Sequence, residues 1–217
     1  MSNTMKTIIF VVSLFAFLFF FILANYVLSP NADFIKAVVY ITGYIAALYT
    51  QALMKYLYTR SVMKKANIIS VLPVKTNELR EKLIPLVLPV IAVVMPMVGK
   101  REVSPENLKS FVYLVILAAI IQVLFLINSR TLKVYVTNKG FAVNGVDLRL
   151  ELSISFSYTN AAGWYPFERI ENYLAYENKV FLYHTYDMGV ITFECSEEET
   201  RQIKGLLIAN SVPERRY

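Results

Sequence analysis

The sequence predicts a membrane protein in which four transmembrane α-helices precede a small α+β domain. The 217 residues are 56% hydrophobic and 18% charged, whereas soluble proteins average about 45–50% and about 25%. The apolar residues form long runs before residue 129, and short alternating segments replace these runs from there on. We therefore predict a transmembrane domain over 1–128 and a domain of about seven strands plus a C-terminal helix over 129–217.

The first two spans are predicted over residues 7–28 and 34–58. Residues 7–28 are 22 positions without a charge, and a helix needs about 20 residues to cross a hydrocarbon core of about 30 Å. A signal peptide is the alternative, but its apolar part is typically about 7–15 residues long, which is shorter than this run. The short turn 29–33 joins the two predicted spans.

The third and fourth spans are predicted over residues 83–98 and 111–128. The third contains Pro85, Pro89 and Pro96. As a helix its residues would reach only about 24 Å at about 1.5 Å per residue. A kinked or re-entrant segment is therefore the alternative to a full crossing at this position.

The charges predict the orientation. Lys and Arg outnumber Asp and Glu by 12 to 5 in residues 1–128, but number 10 against 11 in residues 129–217. This distribution is atypical of a nucleic-acid-binding module, which concentrates basic residues in its folded part. The connection 55–82 holds seven basic residues, and positive loops stay in the cytoplasm. We expect a multi-pass protein of the cell membrane with both termini cytoplasmic; a re-entrant 83–98 would place the second domain outside.

The C-terminal domain is predicted from alternation and turn residues. A hairpin is expected around the turn at Asn138–Gly140, followed by an alternating strand over 148–156. The further strands are expected at 164–167, 170–176, 179–183 and 188–193. Ser196 and Glu199 have the spacing of a capping box, which predicts the start of the final helix.

Three segments of this domain resemble a known family. They are Val136–Phe141 (VTNKGF), Gly163–Tyr173 (GWYPFERIENY) and Glu197–Glu199 before the last helix. Over about residues 131–210 the chain is similar to the PH-like domains of the bacterial YcxB-like and related membrane-protein families. The spacing from Trp164 to Ile170 is longer than the family pattern, which leaves the register open. The resemblance implies a PH-like fold next to membrane spans and no particular activity.

The sequence predicts no catalytic, cofactor-binding or metal-binding site. One cysteine and one histidine cannot form a disulfide or a Cys/His metal site. A dyad of Cys195 and His184 is arithmetically open, but both positions are typical of structural residues. The four apolar runs contain no carboxylate for an ion relay. We therefore predict a non-enzymatic protein.

Two groups of residues are candidate contact sites. Arg60, Lys64 and Lys65 extend the second span into the head-group region, where they indicate either topology and interfacial anchoring or contact with anionic lipids. Trp164 and Tyr165 follow a polar loop and are candidates either for core and cross-strand packing or for contact with a partner. We expect membrane lipids and either a protein partner or a second copy of the chain as binding partners, in a regulatory, assembly or immunity-type role. The alternative is a subunit of a membrane transporter or channel.

Overall fold

The computed structural model describes residues 3–28, 33–74, 90, 105–149, 159–176, 178–184 and 189–215. The helices are α1 (Asn3–Ile22, continued by a π-helical turn at Leu23–Val27), α2 (Asp33–Met63), α3 (Pro105–Thr131) and α4 (Glu197–Ala209). The strands are β1 (Ile68–Pro73), β2 (Lys133–Thr137), β3 (Gly140–Asn144), β4 (Gly163–Pro166), β5 (Ile170–Tyr176), β6 (Lys179–His184) and β7 (Val190–Glu194).

Two stretches of the described helices are long and apolar enough to cross a membrane. They are Thr4–Val27 in α1 and Phe111–Asn128 in α3. The predicted second span, 34–58, falls within α2, while the predicted third span, 83–98, lies outside the described residues apart from Val90. The structure therefore supports a mixed α/β fold with two candidate spans. The four transmembrane helices themselves stay a prediction.

Helices α1 and α2 form an antiparallel pair. Phe20 of α1 meets Gly43 of α2, where an added Cβ atom would lie 2.6 Å from the Phe20 Cβ atom. Further along, the Tyr40 hydroxyl donates a 2.9 Å hydrogen bond to Asn25 Oδ1. The absent side chain at Gly43 is what allows this close approach, as is common between apolar helices.

Helix α3 packs along α2. Leu117, Ile121 and Phe125 form a buried cluster on one face of α3, and Ile41 and Tyr44 of α2 pack against it. Their spacing of four residues places the three α3 side chains on one helical stripe. Most other side chains of α3 are exposed, so α3 buries a single narrow stripe.

The strands form two antiparallel sheets. Sheet A has the order β1-β2-β3-β4, and sheet B has the order β5-β6-β7. A single bridge between Val74 and Phe193 links the end of β1 to β7. Strand β1 was not predicted, because its residues fall in the basic connection 55–82. One strand of the sheet thus comes from the N-terminal side of the predicted division at residue 128, and that division stays a prediction.

The predicted hairpin is confirmed as β2 and β3. Gly140 has a φ of +145° at the turn, and an added Cβ atom there would lie 2.4 Å from the Tyr165 carbonyl oxygen. The predicted strand 148–156 is not confirmed. Leu148 and Arg149 lie in a loop, and the rest of that segment lies outside the described residues. Hydrogen bonds between Arg149 and Asp147 hold this segment in a loop conformation, which explains why no strand begins at Leu148.

The core of the domain lies between the two sheets and α4. Phe141, Phe193 and Leu182 are fully buried there, together with Ile203 and Leu207 of α4. Helix α4 therefore covers the core with one apolar face. Its predicted capping box is confirmed, because the Glu199 N–H donates to Ser196 Oγ and the Ser196 N–H donates to Glu199 Oε2.

Candidate functional site

A buried ionic cluster joins α2 to the domain. It consists of Lys55, Asp147 and Arg149, whose side chains are at most 2% exposed. Arg149 Nε and Nη2 donate to the two carboxylate oxygens of Asp147 over 2.7 and 2.9 Å. Lys55 Nζ lies 4.0 Å from Asp147 Oδ2. Two cations therefore share one carboxylate, and the bidentate pair fixes the orientation of the Asp147 side chain.

Arg149 and Asp147 also form hydrogen bonds with the backbone of the loop before β4. Arg149 Nη1 donates to the Thr159 carbonyl oxygen over 2.8 Å, and Nη2 donates to the Asn160 carbonyl oxygen over 2.6 Å. The Ala162 N–H donates to Asp147 Oδ2 over 2.9 Å. The ionic cluster thus binds backbone groups as well as charges. These additional hydrogen bonds offset part of the cost of removing the ion pair from water.

Asn160 extends this connection to sheet B. Its side chain accepts from the Thr192 N–H over 2.6 Å and donates to the Thr192 carbonyl oxygen over 2.8 Å. Its backbone φ is +58°, a left-handed conformation that Asn adopts more readily than most residues. The ionic cluster is therefore linked to β7 through one side chain.

The pKa of Asp147 reflects two opposing effects. Burial by itself raises the pKa of this carboxyl, but the positive charges of Arg149 and Lys55 and the hydrogen bonds from Arg149 and Ala162 lower it more. The pKa consequently lies well below its usual range. The Asp147 side chain stays ionised at neutral pH, as the two neighbouring cations require.

The C-terminal end of α3 is fixed to the same loop. Asn128 Oδ1 accepts from the Leu148 N–H, and Thr131 Oγ1 accepts from the Val146 N–H, each over 3.2 Å. Gly145 fits against this end, because an added Cβ atom would lie 2.4 Å from the Thr131 carbonyl oxygen. The ends of α2 and α3 therefore hold the loop 145–149 from two sides.

An open groove of about 550 Å³ lies between the end of α2, the end of α3 and strands β2 and β3. We call it the interfacial groove. It is lined by Tyr56, Arg60, Met63, Lys64, Ile68, Thr131, Tyr135, Asn144, Gly145 and Val146. The Arg60 guanidinium lies 5.8 Å from the centre of the Tyr56 ring and donates to its hydroxyl over 3.3 Å. None of these ten residues is acidic, so the charge of the lining is positive.

The structure separates the three basic residues that were predicted to contact lipids. Arg60 of α2 and Lys64, the first residue after α2, both line the interfacial groove. Lys65 is exposed and is not part of the lining. Both lysines lie in the turn that follows the end of α2 at Met63, and of the two only Lys64 borders the interfacial groove.

The predicted partner contact divides in the same way. Tyr165 is only 6% exposed, its hydroxyl donates to the Ala161 carbonyl oxygen, and its ring packs edge-on against His184. It belongs to the core, because alternate residues of β4 face inward. Trp164 is half-buried and lies on the face of sheet A opposite to Tyr165. In the register of the sheet it is paired with Ala142 of β3. A partner contact thus stays a prediction for Trp164, whereas the buried position of Tyr165 argues against it there.

Cys195 and His184 each have a structural neighbour. The Cys195 sulfur lies 3.1 Å from Thr200 Oγ1 in the core, and His184 packs against Tyr165. Burial raises the pKa of the Cys195 thiol, so the reactive thiolate is disfavoured. Within the described residues, no group of three or more His, Cys, Asp or Glu side chains could hold a metal ion.

The ionic cluster was not predicted from the sequence. Lys55 was counted among the loop charges, and Asp147 and Arg149 flank the start of a predicted strand. The available signal was periodicity: Leu48, Ala52 and Lys55 are all buried on one stripe of α2, so Lys55 falls on a buried face.

No family model, curated protein or solved structure matches the chain.

Proposed function

We propose that the protein is an integral membrane protein whose cytoplasmic PH-like domain binds a protein partner, in a regulatory or assembly role and without catalysis. The apolar surface of α1 and α3 supports the membrane assignment. Only 17% of an 18-residue apolar window within Thr4–Val27 and 22% of Phe111–Asn128 is buried. A core helix of a soluble protein would bury most of these residues, whereas a helix in lipid leaves them on the outside.

The orientation is supported by the way in which the helices end. Both α2 and α3 lead directly into sheet A, because β1 pairs with β2. The antiparallel packing of α1 on α2 brings the start of α1 to the same side. Lys6, Arg60, Lys64, Lys65 and Arg130 lie near these ends. Positive residues accumulate on the cytoplasmic side, so the domain and the N-terminus are assigned to the cytoplasm.

The same geometry favours a full crossing between β1 and α3 over a re-entrant segment. Val74 lies beside the sheet, and the 27 residues of α3 also end there. A helix of that length is about 40 Å long. If α3 spans the bilayer, its first residue lies on the far side from Val74. The chain between the two points then has to change sides, as the predicted third span requires.

The PH-like fold is supported by two antiparallel sheets and a C-terminal helix. Ile203 and Leu207 of α4 enter the core between the sheets. The chain after α4 then pairs with β5, where the Arg215 N–H donates to the Tyr173 carbonyl oxygen over 2.7 Å. Strands followed by a final packed helix are what the resemblance to the YcxB-like families implies.

The observation that carries the partner-binding role is the outer edge of β1. Ile69 and Val71 are 45% and 46% exposed on this strand. Within the described part of the chain, the outer edge of β1 has only the single bridge from Val74 to Phe193. An open apolar strand edge can accept a strand of another protein by backbone hydrogen bonding. Because β1 continues from α2, a partner bound there contacts the end of a proposed span.

A photoreactive phenylalanine analogue at Val71 tests this role in native membranes. The matched control carries the same analogue at Lys139, which is exposed in the β2–β3 turn. We expect a discrete cross-linked protein at position 71 that is absent at position 139. Equal cross-linking at both positions, or none at position 71, would contradict partner binding at this edge.

The membrane assignment has its own test. The full chain should remain in the membrane pellet after alkaline carbonate extraction. A Ser211→Cys substitution in a Cys195→Ala background should react with an impermeant thiol reagent only after the cells are opened. Extraction into the supernatant would refute the membrane assignment, and labelling of intact cells would refute the cytoplasmic orientation.

A further inference from the structure

The interfacial groove lies at the level where the candidate spans end. Thr131 belongs to its lining and follows Asn128, the last residue of the apolar stretch of α3, by three positions. Three residues correspond to about 4.5 Å along a helix. The head-group layer of a bilayer is about 5–7 Å thick on each side. If α3 spans the membrane, the interfacial groove therefore opens into the layer of lipid head groups.

The charge of the interfacial groove suits an anionic group. Arg60 lines the interfacial groove from α2 together with Tyr56 and Met63, and Lys64 follows directly after the end of this helix. Within the described residues, no carboxylate forms an ion pair with either cation. Both side chains are exposed, so their charged groups can reach a phosphate without first breaking a salt bridge.

A buried acceptor in the same lining points to the second half of the ligand. Asn144 is 6% exposed, and its Oδ1 atom has no hydrogen-bond partner in the described structure. A buried carbonyl oxygen without a hydrogen-bond donor is unfavourable, because it has lost its hydrogen bonds to water. A ligand that brings a hydroxyl group to Asn144 would satisfy this oxygen, whereas a phosphate oxygen would not.

We propose that the interfacial groove binds the head group of an anionic phospholipid that carries a free hydroxyl. The phosphate lies at Arg60 and Lys64, and a head-group hydroxyl donates to Asn144 Oδ1. The apolar members Met63, Ile68 and Val146 contact the glycerol backbone and the first carbons of the chains. This inference rests on the proposed membrane insertion, and it adds a defined lipid site to it.

The charge part of the site is tested with matched lysine variants. The detergent-solubilised full chain is titrated with phosphatidylglycerol, and bound lipid is counted by native mass spectrometry. Each basic residue near an anionic surface contributes about fivefold in affinity. We expect Lys64→Ala to weaken binding about fivefold and the Arg60→Ala/Lys64→Ala pair about 30-fold, with little change for Lys65→Ala. Equal losses for Lys64→Ala and Lys65→Ala would overturn the site in favour of general surface attraction.

The hydroxyl part is tested by comparing two lipids of equal charge. Phosphatidylglycerol carries head-group hydroxyls, whereas phosphatidylmethanol has none. Wild-type protein should bind phosphatidylglycerol several-fold more tightly, and Asn144→Leu should remove that preference while keeping the affinity for phosphatidylmethanol. Asn144→Ser provides a second variant that retains a polar group and should keep part of the preference. A wild-type protein that binds both lipids equally would refute the assignment of Asn144.

Two further arms identify the source of the phosphate and the cause of a failure. Soluble glycerol phosphate at millimolar concentration should not displace the lipid, because it lacks the apolar contacts; displacement would assign the groove to a soluble ligand. Alkaline carbonate extraction of the same variants separates the two proposals. A protein that stays in the membrane but shows no lipid selectivity refutes this inference alone.

Discussion

The helical region exposes large apolar side chains, whereas the C-terminal domain buries them. Phe15 and Phe19 of α1 are 66% and 64% exposed, whereas Phe141 and Phe193 of the domain are 0% and 1% exposed. Burial of apolar area from water stabilises the domain. Burial from water cannot hold the helices together if they are surrounded by lipid. Close packing and polar contacts between the helices are then what stabilises them.

The contrast explains why the polar contacts concentrate where the regions meet. Lys55 comes from α2, Asp147 and Arg149 come from the loop after β3, and all three are buried. Asn128 and Thr131 add hydrogen bonds from α3 to the same loop. Arg149 and the loop before β4 satisfy Asp147 from within the domain, and Lys55 adds a positive charge from α2. The ionic cluster therefore links the domain to α2.

Removing the carboxylate of the ionic cluster should have the largest effect. Asp147→Ala leaves Arg149 and Lys55 buried without their shared anion, and such a loss costs about 3–5 kcal/mol of the free energy of unfolding. Denaturant titration in detergent measures it. The control is Lys204→Ala, which removes an exposed 3.0 Å ion pair to Glu214 and should cost at most about 1 kcal/mol. Similar losses for both variants would show that Asp147 is not a buried anchor.

The pH dependence of unfolding tests the charge itself. A carboxyl whose pKa is lowered on folding contributes its stability above the ordinary pKa of about 3.9 and loses it as the pH falls through the folded value. Wild-type protein should therefore lose stability more steeply below about pH 4 than an Asp147→Asn variant. Parallel curves for the two proteins would mean that Asp147 is not stabilised as the anion.

How much the sequence could predict differs between the two regions. The apolar runs of α1 and α3 and the hairpin at Gly140 were readable, because hydropathy and turn residues are local signals. Strand β1 was not, because its membership of sheet A depends on pairing with residues 60 to 69 positions away. The ionic cluster was hidden for the same reason. Lys55 is far from Asp147 in sequence, and a basic residue near a span end is usually a topology signal.

Matched leucine substitutions test the opposite directions of burial. Leu182→Ala in β6 removes a side chain that is 1% exposed, and should cost about 2–5 kcal/mol of the free energy of unfolding. Leu126→Ala in α3 removes one that is 52% exposed, and in detergent it should cost less than about 1 kcal/mol. The two variants remove the same atoms. A large loss at Leu126 would indicate that this face of α3 packs against protein rather than lipid.

Matched glycine substitutions give the smallest effects and test how the helices pack. Gly43→Ala places a Cβ atom 2.6 Å from the Phe20 Cβ atom, and both atoms belong to helix positions that cannot move independently. We expect a loss of about 1–3 kcal/mol, as for other overpacked sites, and weaker association of α1 with α2. Gly205→Ala in α4 meets nothing within 4 Å and should stabilise the protein by about 0.4–1 kcal/mol. The chemical change is identical in the two variants. A loss of stability at Gly43 with a gain at Gly205 would therefore locate the cost of Gly43→Ala in the contact with α1. A gain of stability at both positions would refute that contact.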